Sequence, residues 1–227
     1  MTTPAAAKLT EDLAAAGFLC LGGFEPGAGD GVPDISGGSA VTNLLLIGST
    51  GPSLWPSFRT TPEFADLAPH ALDRYTKRAL SQIASDHRYE ALFPFEGPPY
   101  FPFQQWALKC GGFSQSPLGV LAHAQYGPWT GFRAAFLTSE PVIATPAPTV
   151  SGPCETCFDK PCVTACPVDA ISPETGYDVP ACKTHLASDP AVACWSGCLA
   201  RHACPYGGDH KPSPETARFH MESFVGL

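Results

Sequence analysis

The sequence predicts an α+β fold organised as two domains, residues 1–145 and residues 146–227. Helix-like and strand-like patterns are mixed in the first of these segments. Four prolines fall between Pro141 and Pro153, which is typical of a semi-rigid linker. Eight of the ten cysteines then follow between Cys154 and Cys204, so the two predicted domains differ in chemistry as well as in pattern.

The first domain is predicted to begin with a helix and two strands. Residues 4–16 favour a helix, and Gly17 follows in the position of a C-terminal cap. Residues 18–24 and 43–48 are short apolar segments that suit strands. The glycine-rich stretch 27–38 has neither a GxGxxG pattern nor the lysine of a P-loop, which indicates a flexible connection rather than a phosphate site.

The remainder of the first domain is predicted to contain a long helix followed by shorter elements. Apolar residues recur at helical spacing from Pro69 to His87, so we expect an amphipathic helix packed against a core. The shorter elements are a strand at 91–95, a helix through Trp106 ended by Gly111 and Gly112, and strands at 118–124 and 132–138 joined through Tyr126–Trp129.

Composition excludes two classes of partner. A formal charge of -8 argues against nucleic acid, because phosphate backbones are held mainly by clustered Lys and Arg. The best apolar run, Leu44–Ile47, is far shorter than the roughly 20 residues that cross a bilayer. Lys8, Glu11 and Asp12 interrupt the region where a secretory signal would be apolar. We therefore expect a cytoplasmic protein that binds neither nucleic acid nor membrane.

The cysteine spacing predicts metal or redox chemistry, because the cytosol keeps thiols reduced and disfavours disulfides. The first group has the pattern C-x2-C-x4-C-x3-C-P and the second ends in another Cys-Pro pair. The eight cysteines are Cys154, Cys157, Cys162, Cys166, Cys182, Cys194, Cys198 and Cys204. Eight thiolates are the number that two 4Fe-4S clusters require.

A crossover is expected between the two groups. In two-cluster bacterial ferredoxins, the cysteine before proline binds the cluster of the other half. One cluster would therefore use Cys154, Cys157, Cys162 and Cys204, and the second would use Cys166, Cys182, Cys194 and Cys198. The spacing departs from the ferredoxin pattern, since four residues instead of two precede Cys162 and the second group is spread out.

Two structural zinc ions are the alternative reading, because four-cysteine zinc sites also use C-x2-C pairs. The two Cys-Pro signatures favour clusters. Eight cysteines already complete two sites. We therefore expect His185, His202 and His210 to be exposed to solvent or to contact the cysteine ligands without binding the metal. The remaining cysteines, Cys20 and Cys110, are expected to be buried, inert thiols.

Beyond the cysteine pattern, the sequence resembles epoxyqueuosine reductases and, more distantly, reductive dehalogenases and cyanocobalamin-processing proteins. The segment Cys154–Tyr206 is similar to the two-cluster ferredoxin-like module of those reductases. Gly119–Trp129, which reads GVLAHAQYGPW, is similar to a Gly-Leu-Leu-Ile-His-Pro-Glu-Tyr-Gly-Pro-Trp region of the family, and Leu72–Arg78 is similar to a helix of the cobalamin-processing branch. The resemblance implies a nitroreductase-like first domain that binds cobalamin in relatives.

The resemblance also implies roles for four residues outside the cysteine groups. His123, Tyr126 and Trp129 would line a cofactor pocket, although packing in a core or turn explains them almost as well. Glu96, in Phe95–Pro99, stands where the reductases carry an acidic segment that supplies a proton donor. Its alternative reading is a solvated turn carboxylate.

Several functions follow from these expectations. One is a cobalamin-dependent reductase in which two 4Fe-4S clusters pass electrons to a corrinoid or to a substrate at the first domain. The others are a non-enzymatic ferredoxin-like electron carrier or reductive activator, and a cobalamin-trafficking protein. The reductases carry an aspartate in an Asp-Ser/Thr-x-Pro segment where this chain has Glu96, and the absence of that aspartate favours the carrier or activator. A flavodoxin or a ferredoxin reductase is the expected kind of electron donor.

Overall fold

The structure, a computed structural model, describes residues 4–140 and 151–226. The elements up to residue 140 are α1 (Pro4–Ala15), β1 (Leu19–Phe24), β2 (Asn43–Ser49), α2 (Gly51–Phe58), α3 (Pro62–Ala65), α4 (Ala71–Asp86), β3 (Glu90–Leu92), α5 (Phe103–Cys110), β4 (Phe113–Gln115), β5 (Leu121–His123) and β6 (Gly131–Thr138). The later elements are α6 (Pro161–Thr164), β7 (Ile171–Ser172), β8 (Gly176–Tyr177), α7 (Val179–Ser188), α8 (Leu199–His202) and α9 (Pro214–Val225).

The described chain forms two compact units that are not simply consecutive. The first unit contains residues 4–49, 53–111 and 131–140. The second contains residues 50–52, 112–130 and 151–226. The predicted division after residue 145 differs from this partition in one main respect, because residues 112–130 belong to the second unit.

The first unit is built on an antiparallel sheet with the strand order β1-β2-β6-β3. All seven residues of β2 are buried, as its continuous apolar sequence predicts. Its register pairs Leu44 with Leu137 and Leu46 with Ala135, so the two central strands share the core.

The long helix α4 packs through one apolar side, which agrees with its sequence pattern. Tyr75, Thr76, Leu80 and Ala84 are buried along it. The Tyr75 ring stacks on Phe18 with the centroids 5.8 Å apart, and its hydroxyl donates a hydrogen bond to the carbonyl oxygen of Ala16 at 2.8 Å. These contacts fasten α4 to the turn between α1 and β1.

The mixed helix-and-sheet class is confirmed, and most predicted elements of the first unit occur where the sequence places them. The predicted strands 118–124 and 132–138 do not share a sheet, because β5 pairs with β4 whereas β6 pairs with β2 and β3. The sequence analysis missed α2 and α3, which contain or begin with prolines. Of the predicted linker, residues 141–150 lie outside the described residues.

The two isolated cysteines differ in environment. Cys110 is completely buried, and burial raises the pKa of its thiol to about 12, which agrees with an inert thiol. Cys20 is exposed on β1, so the prediction of a buried thiol is wrong there. The strand has a register irregularity at Cys20 and Gly22, which alters the simple alternation of faces that the sequence suggested.

Within residues 4–140 and 151–226, no helix has the length and apolar character needed to cross a membrane.

Replacing Leu80 with Ala should lower the free energy of unfolding by about 2–5 kcal/mol, because the side chain is fully buried and its loss leaves a cavity. Urea unfolding of the anaerobically purified protein measures the change. Leu67→Ala is the matched control, since Leu67 is 91% exposed and its truncation should change stability by less than about 0.5 kcal/mol. Equal effects of the two substitutions would contradict the described core.

Candidate metal centre

The second unit contains two cavities, each lined by four cysteines. The first is a narrow cavity of about 20 Å³ lined by Cys154, Cys157, Cys162 and Cys204. The second is a larger cavity of about 200 Å³ lined by Cys166, Cys182, Cys194 and Cys198. This division coincides with the two crossover sets expected from the Cys-Pro signatures.

Electrostatic neighbours divide the thiols in the same way. Burial is the main cause that raises the pKa of Cys162, followed by the nearby thiols of Cys154, Cys204 and Cys157. Burial likewise raises the pKa of Cys194, with further contributions from Cys198, Cys182 and Cys166. The pKa of each of these two thiols is therefore raised by the other three thiols of its own set.

Short elements place the first set around its cavity. Cys154 lies in a 3-10 turn at Pro153–Glu155, Cys162 lies on α6, and Cys204 follows α8. Before α6, Lys160 adopts a left-handed conformation with φ 37°, and its Nζ donates to the carbonyl oxygen of Cys157 at 3.2 Å. This closed turn accommodates the two extra residues that distinguish the x4 spacing from the ferredoxin pattern.

The second set depends on α7 and on the turn that follows it. Asp178 caps α7 by accepting a hydrogen bond from the Ala181 amide at 2.9 Å, and Cys182 lies one residue further on. Cys194 lies in the 3-10 turn Ala193–Ser196, and Cys198 immediately precedes α8. The wide spacing in the sequence is thus spanned by a helix and a turn.

Gly197 explains the tight connection between Cys194 and Cys198. Its φ is 130°, which side chains rarely adopt, and a Cβ there would collide with the imidazole of His202. A glycine is therefore required for α8 to begin directly after the turn.

Hydrogen bonds reach the sulfurs of the second set. The amide of Ala170 donates to Cys166 Sγ at 3.3 Å. The Tyr177 hydroxyl is hydrogen-bonded to Cys182, and burial is the main cause that raises the pKa of Tyr177. These groups favour sulfurs that carry negative charge.

Residues 112–130 form a frame around the cysteine loops. Ser114 Oγ on β4 accepts a hydrogen bond from the Cys154 amide at 3.0 Å. Gly127 packs so closely against Tyr206 that a Cβ would overlap the Tyr206 carbonyl group. Arg201 on α8 donates a hydrogen bond to the carbonyl oxygen of Pro128. The segment predicted as part of the first domain therefore supports both ends of the cysteine region.

The structure places His123, Tyr126 and Trp129 in this frame rather than on the walls of either cysteine cavity. His123 stacks on Tyr126 with the centroids 4.8 Å apart, and Tyr126 meets His210 edge-on at the same distance. Trp129 is buried and contacts His202 edge-on at 5.1 Å. Packing, the second reading offered by the sequence, describes their contacts. Their role in binding a cofactor stays a prediction.

His123 is held in its neutral form. Its Nδ1 accepts hydrogen bonds from the amides of Gln125 at 3.1 Å and Tyr126 at 3.3 Å, which places the proton on Nε2. Burial, with a smaller contribution from His210, lowers the pKa of His123 to about 4. A neutral ring suits its place between Phe113 and Tyr126.

Glu96 belongs to the first unit and is not among the residues that line either cysteine cavity. Its Oε1 pairs with Lys77 Nζ at 2.6 Å, and its side chain is 40% exposed. This matches the solvated carboxylate reading, and the proton-donor role stays a prediction.

Two residues that sequence reasoning missed line the second cavity beside the cysteines. These residues are Tyr177 and Arg201. His185, one of the three histidines that the sequence analysis named beside the cysteines, also lines this cavity. No local motif marks Tyr177. The only sequence signal for Arg201 is its position between Cys198 and Cys204, and this signal is weak.

Across the residues that the structure describes, no group of three or more His, Cys, Asp or Glu side chains is arranged around a single metal-ion position. A cubane cluster has different requirements, since each of its thiolates binds a different iron. Thiolate sets also suit soft ligand chemistry, which includes iron–sulfur clusters.

The pH dependence of stability should reveal His123. The imidazole of His123 takes up its proton near pH 6.5 in the unfolded chain but only near pH 4 in the folded protein. The free energy of unfolding is therefore greatest above pH 6.5 and decreases as the pH falls from 6.5 towards 4. The decrease should reach about 3 kcal/mol, because each pKa unit corresponds to about 1.4 kcal/mol. His123→Phe should flatten the dependence in urea unfolding, whereas substitution of the exposed His70 by Asn should preserve it. An unchanged slope in His123→Phe would refute the assignment.

The fold is similar to that of two kinds of protein of known structure. The B12-trafficking protein CblC of C. elegans, a homologue of human MMACHC, matches with a TM-score of 0.55 and 13% identity over 98% of this chain and 93% of that one. Epoxyqueuosine reductase from Streptococcus thermophilus matches with a TM-score of 0.50 and 15% identity over 89% of this chain. The match spans 65% of the reductase.

No protein-family model matches the sequence, and no curated protein matches it. The likeness to CblC and to the reductase shows that this chain shares their mixed fold.

Proposed function

We propose that this protein transfers electrons through two 4Fe-4S clusters held in its second unit. The observation that carries the proposal is the division of eight thiols between two cavities, four in each, in the sets that a ferredoxin crossover requires. A single C-x2-C pair has many explanations. Two complete sets in one unit of this size have few.

The surroundings of the thiols support clusters as the occupants. Burial raises the pKa of thiols in both sets, Cys162 and Cys194 among them, so these two thiols are protonated near neutral pH. Cluster binding would displace these protons, as metal binding to cysteines does. The donors that point at Cys166 and Cys182 would then compensate the charge of the thiolates.

When bound, a 4Fe-4S cluster accepts and donates single electrons at a potential set by burial and by hydrogen bonds to sulfur. The chain would contribute a partly buried enclosure and fixed ligand positions. In the first set, Ser114 orients the Cys154 backbone. In the second, the Ala170 amide and Tyr177 orient the sulfurs. Electrons would enter from a flavodoxin or a ferredoxin reductase and leave to a corrinoid or to another substrate.

Cobalamin binding is the second candidate function. It is favoured by the fold shared with a B12-trafficking protein over almost the whole chain, together with the Tyr126–Trp129 signature. The packing of His123, Tyr126 and Trp129 in the frame gives these residues a structural task. Their contact with a corrinoid stays a prediction.

We expect the anaerobically isolated protein to contain about eight iron and about eight acid-labile sulfide per chain. Cys154→Ser and Cys204→Ser should remove the same electron paramagnetic resonance signal, because both residues line the first cavity. Cys182→Ser should remove the other signal. Each variant should retain roughly half of the iron.

Cys20→Ser is the matched control, because Cys20 lies on β1, outside both thiol sets, and should leave the iron content unchanged. Two zinc ions with no sulfide would refute the cluster proposal. If Cys204→Ser removed the same signal as Cys182→Ser, the crossover would be wrong although the cluster count could still hold.

Cobalamin should bind the anaerobic protein with its lower axial base released, because the sequence has no DxHxxG-type motif to supply a replacement histidine. Titration of cobalamin should shift the absorption spectrum towards the base-off form. Absence of binding at high micromolar cofactor, with both clusters intact, would leave electron transfer to another acceptor as the function.

A further inference from the structure

Arg201 is a cation without a carboxylate partner in the part of the chain that the structure describes. It lies on α8 between Cys198 and Cys204 and lines the second cavity. The residue is partly buried, and its Nε is shielded from solvent and has no hydrogen-bond partner. A shielded guanidinium nitrogen left unpaired is costly, so it calls for a compensating group.

Two contacts fix the position of this guanidinium group. Its Nη2 donates to the carbonyl oxygen of Pro128, and its central carbon lies 5.1 Å from the centre of the Trp129 ring. Trp129 is itself buried against His202. Arg201 therefore has little freedom to move its charge into solvent.

The neighbours of Arg201 that could carry negative charge belong to the cavity. Burial lowers the pKa of Arg201, and the nearby Cys198 and Tyr177 act in the opposite direction. Four thiolates around a cluster leave the whole centre negatively charged, and its reduction adds one more negative charge. An anionic cluster in the second cavity would thus supply the charge that Arg201 lacks.

We propose that Arg201 is the counter-charge of the second cluster and raises its reduction potential. This inference rests on the proposed function, because it assumes that Cys166, Cys182, Cys194 and Cys198 hold a cluster. In the reduction step, the cluster gains one electron from an external reductant such as dithionite, and no proton or bond is transferred. A nearby fixed cation stabilises the more negative, reduced state.

The test is an anaerobic redox titration with dithionite and mediators, followed by electron paramagnetic resonance. Arg201→Met removes the charge and keeps an apolar side chain against Trp129. It should shift the midpoint potential of the second cluster, identified by its loss in Cys182→Ser, to a more negative value. The potential of the first cluster should not change. Arg201→Lys keeps the charge, so most of the shift seen in Arg201→Met should be absent and the midpoint potential should lie close to that of the wild-type protein.

Arg218→Met is a closely matched control. Arg218 also lies 5.1 Å from the centre of a tryptophan ring, that of Trp195, but it is 48% exposed and paired with Glu222 at 2.9 Å. Its charge is therefore screened and already compensated. Its removal should leave both potentials unchanged.

If both clusters were present in Arg201→Met and the midpoint potential of the second cluster were unchanged, the inference would be overturned and the proposed function would stay intact. Arg201→Met and Arg201→Gln could both lose the second cluster. Retention of that cluster in Arg201→Lys would then still support the counter-charge role of Arg201, whereas its loss in Arg201→Lys as well would overturn the inference. A wild-type protein without two clusters would refute the proposed function itself, through iron and sulfide content alone.

Discussion

The close backbone contact between Tyr126–Gly127 and Tyr206–Gly207 is the constraint on which the candidate metal centre depends. Neither Gly127 nor Gly207 has room for a side chain, because each would strike the backbone of the opposite loop. Cys204 lies two residues before this contact, so the contact fixes the cysteine that completes the first set. The hydrogen bond from Arg201 to Pro128 fastens the preceding helix to the same loop. Two segments that are far apart in sequence thereby enclose one cavity.

The linings of the two cavities agree with the thiol sets expected from the sequence, whereas the frame beside them was not expected. The crossover that we expect follows from a local rule, since a Cys-Pro signature like that of Cys166 and of Cys204 marks exchanged ligands in two-cluster ferredoxins. The place of residues 112–130 follows from no local rule. Ser114 contacts Cys154 across 40 residues of sequence, and Arg201 contacts Pro128 across 73. Residue propensity and motif spacing describe only local structure, so they could not predict these contacts. The same limit explains why the sequence could not show that β5 and β6 belong to different sheets.

The aromatic signature Tyr126–Trp129 shows how one motif supports two readings. A Tyr-Gly-Pro-Trp segment suits a cofactor pocket, because its rings combine apolar faces with polar tips. In this protein the rings contact His202, His210 and His123, and the glycine permits backbone contact. A sequence-level reading identified the segment as important but could not assign its neighbours. The fold shared with CblC and with an epoxyqueuosine reductase leaves both the redox and the cobalamin chemistry as proposals.

The interleaving of the two thiol sets along the chain has a consequence for the order in which the cavities are completed. The second set is complete once the chain has been synthesised as far as Cys198, whereas the first set opens with Cys154 and waits for Cys204. On a ribosome, the cavity whose thiols begin earliest in the chain is therefore the last to be closed. The frame around β4 and β5 precedes both sets, so it is already available when Cys204 emerges. A nascent chain halted shortly before that residue would carry three of the four thiols of its first site and lack the loop that encloses them.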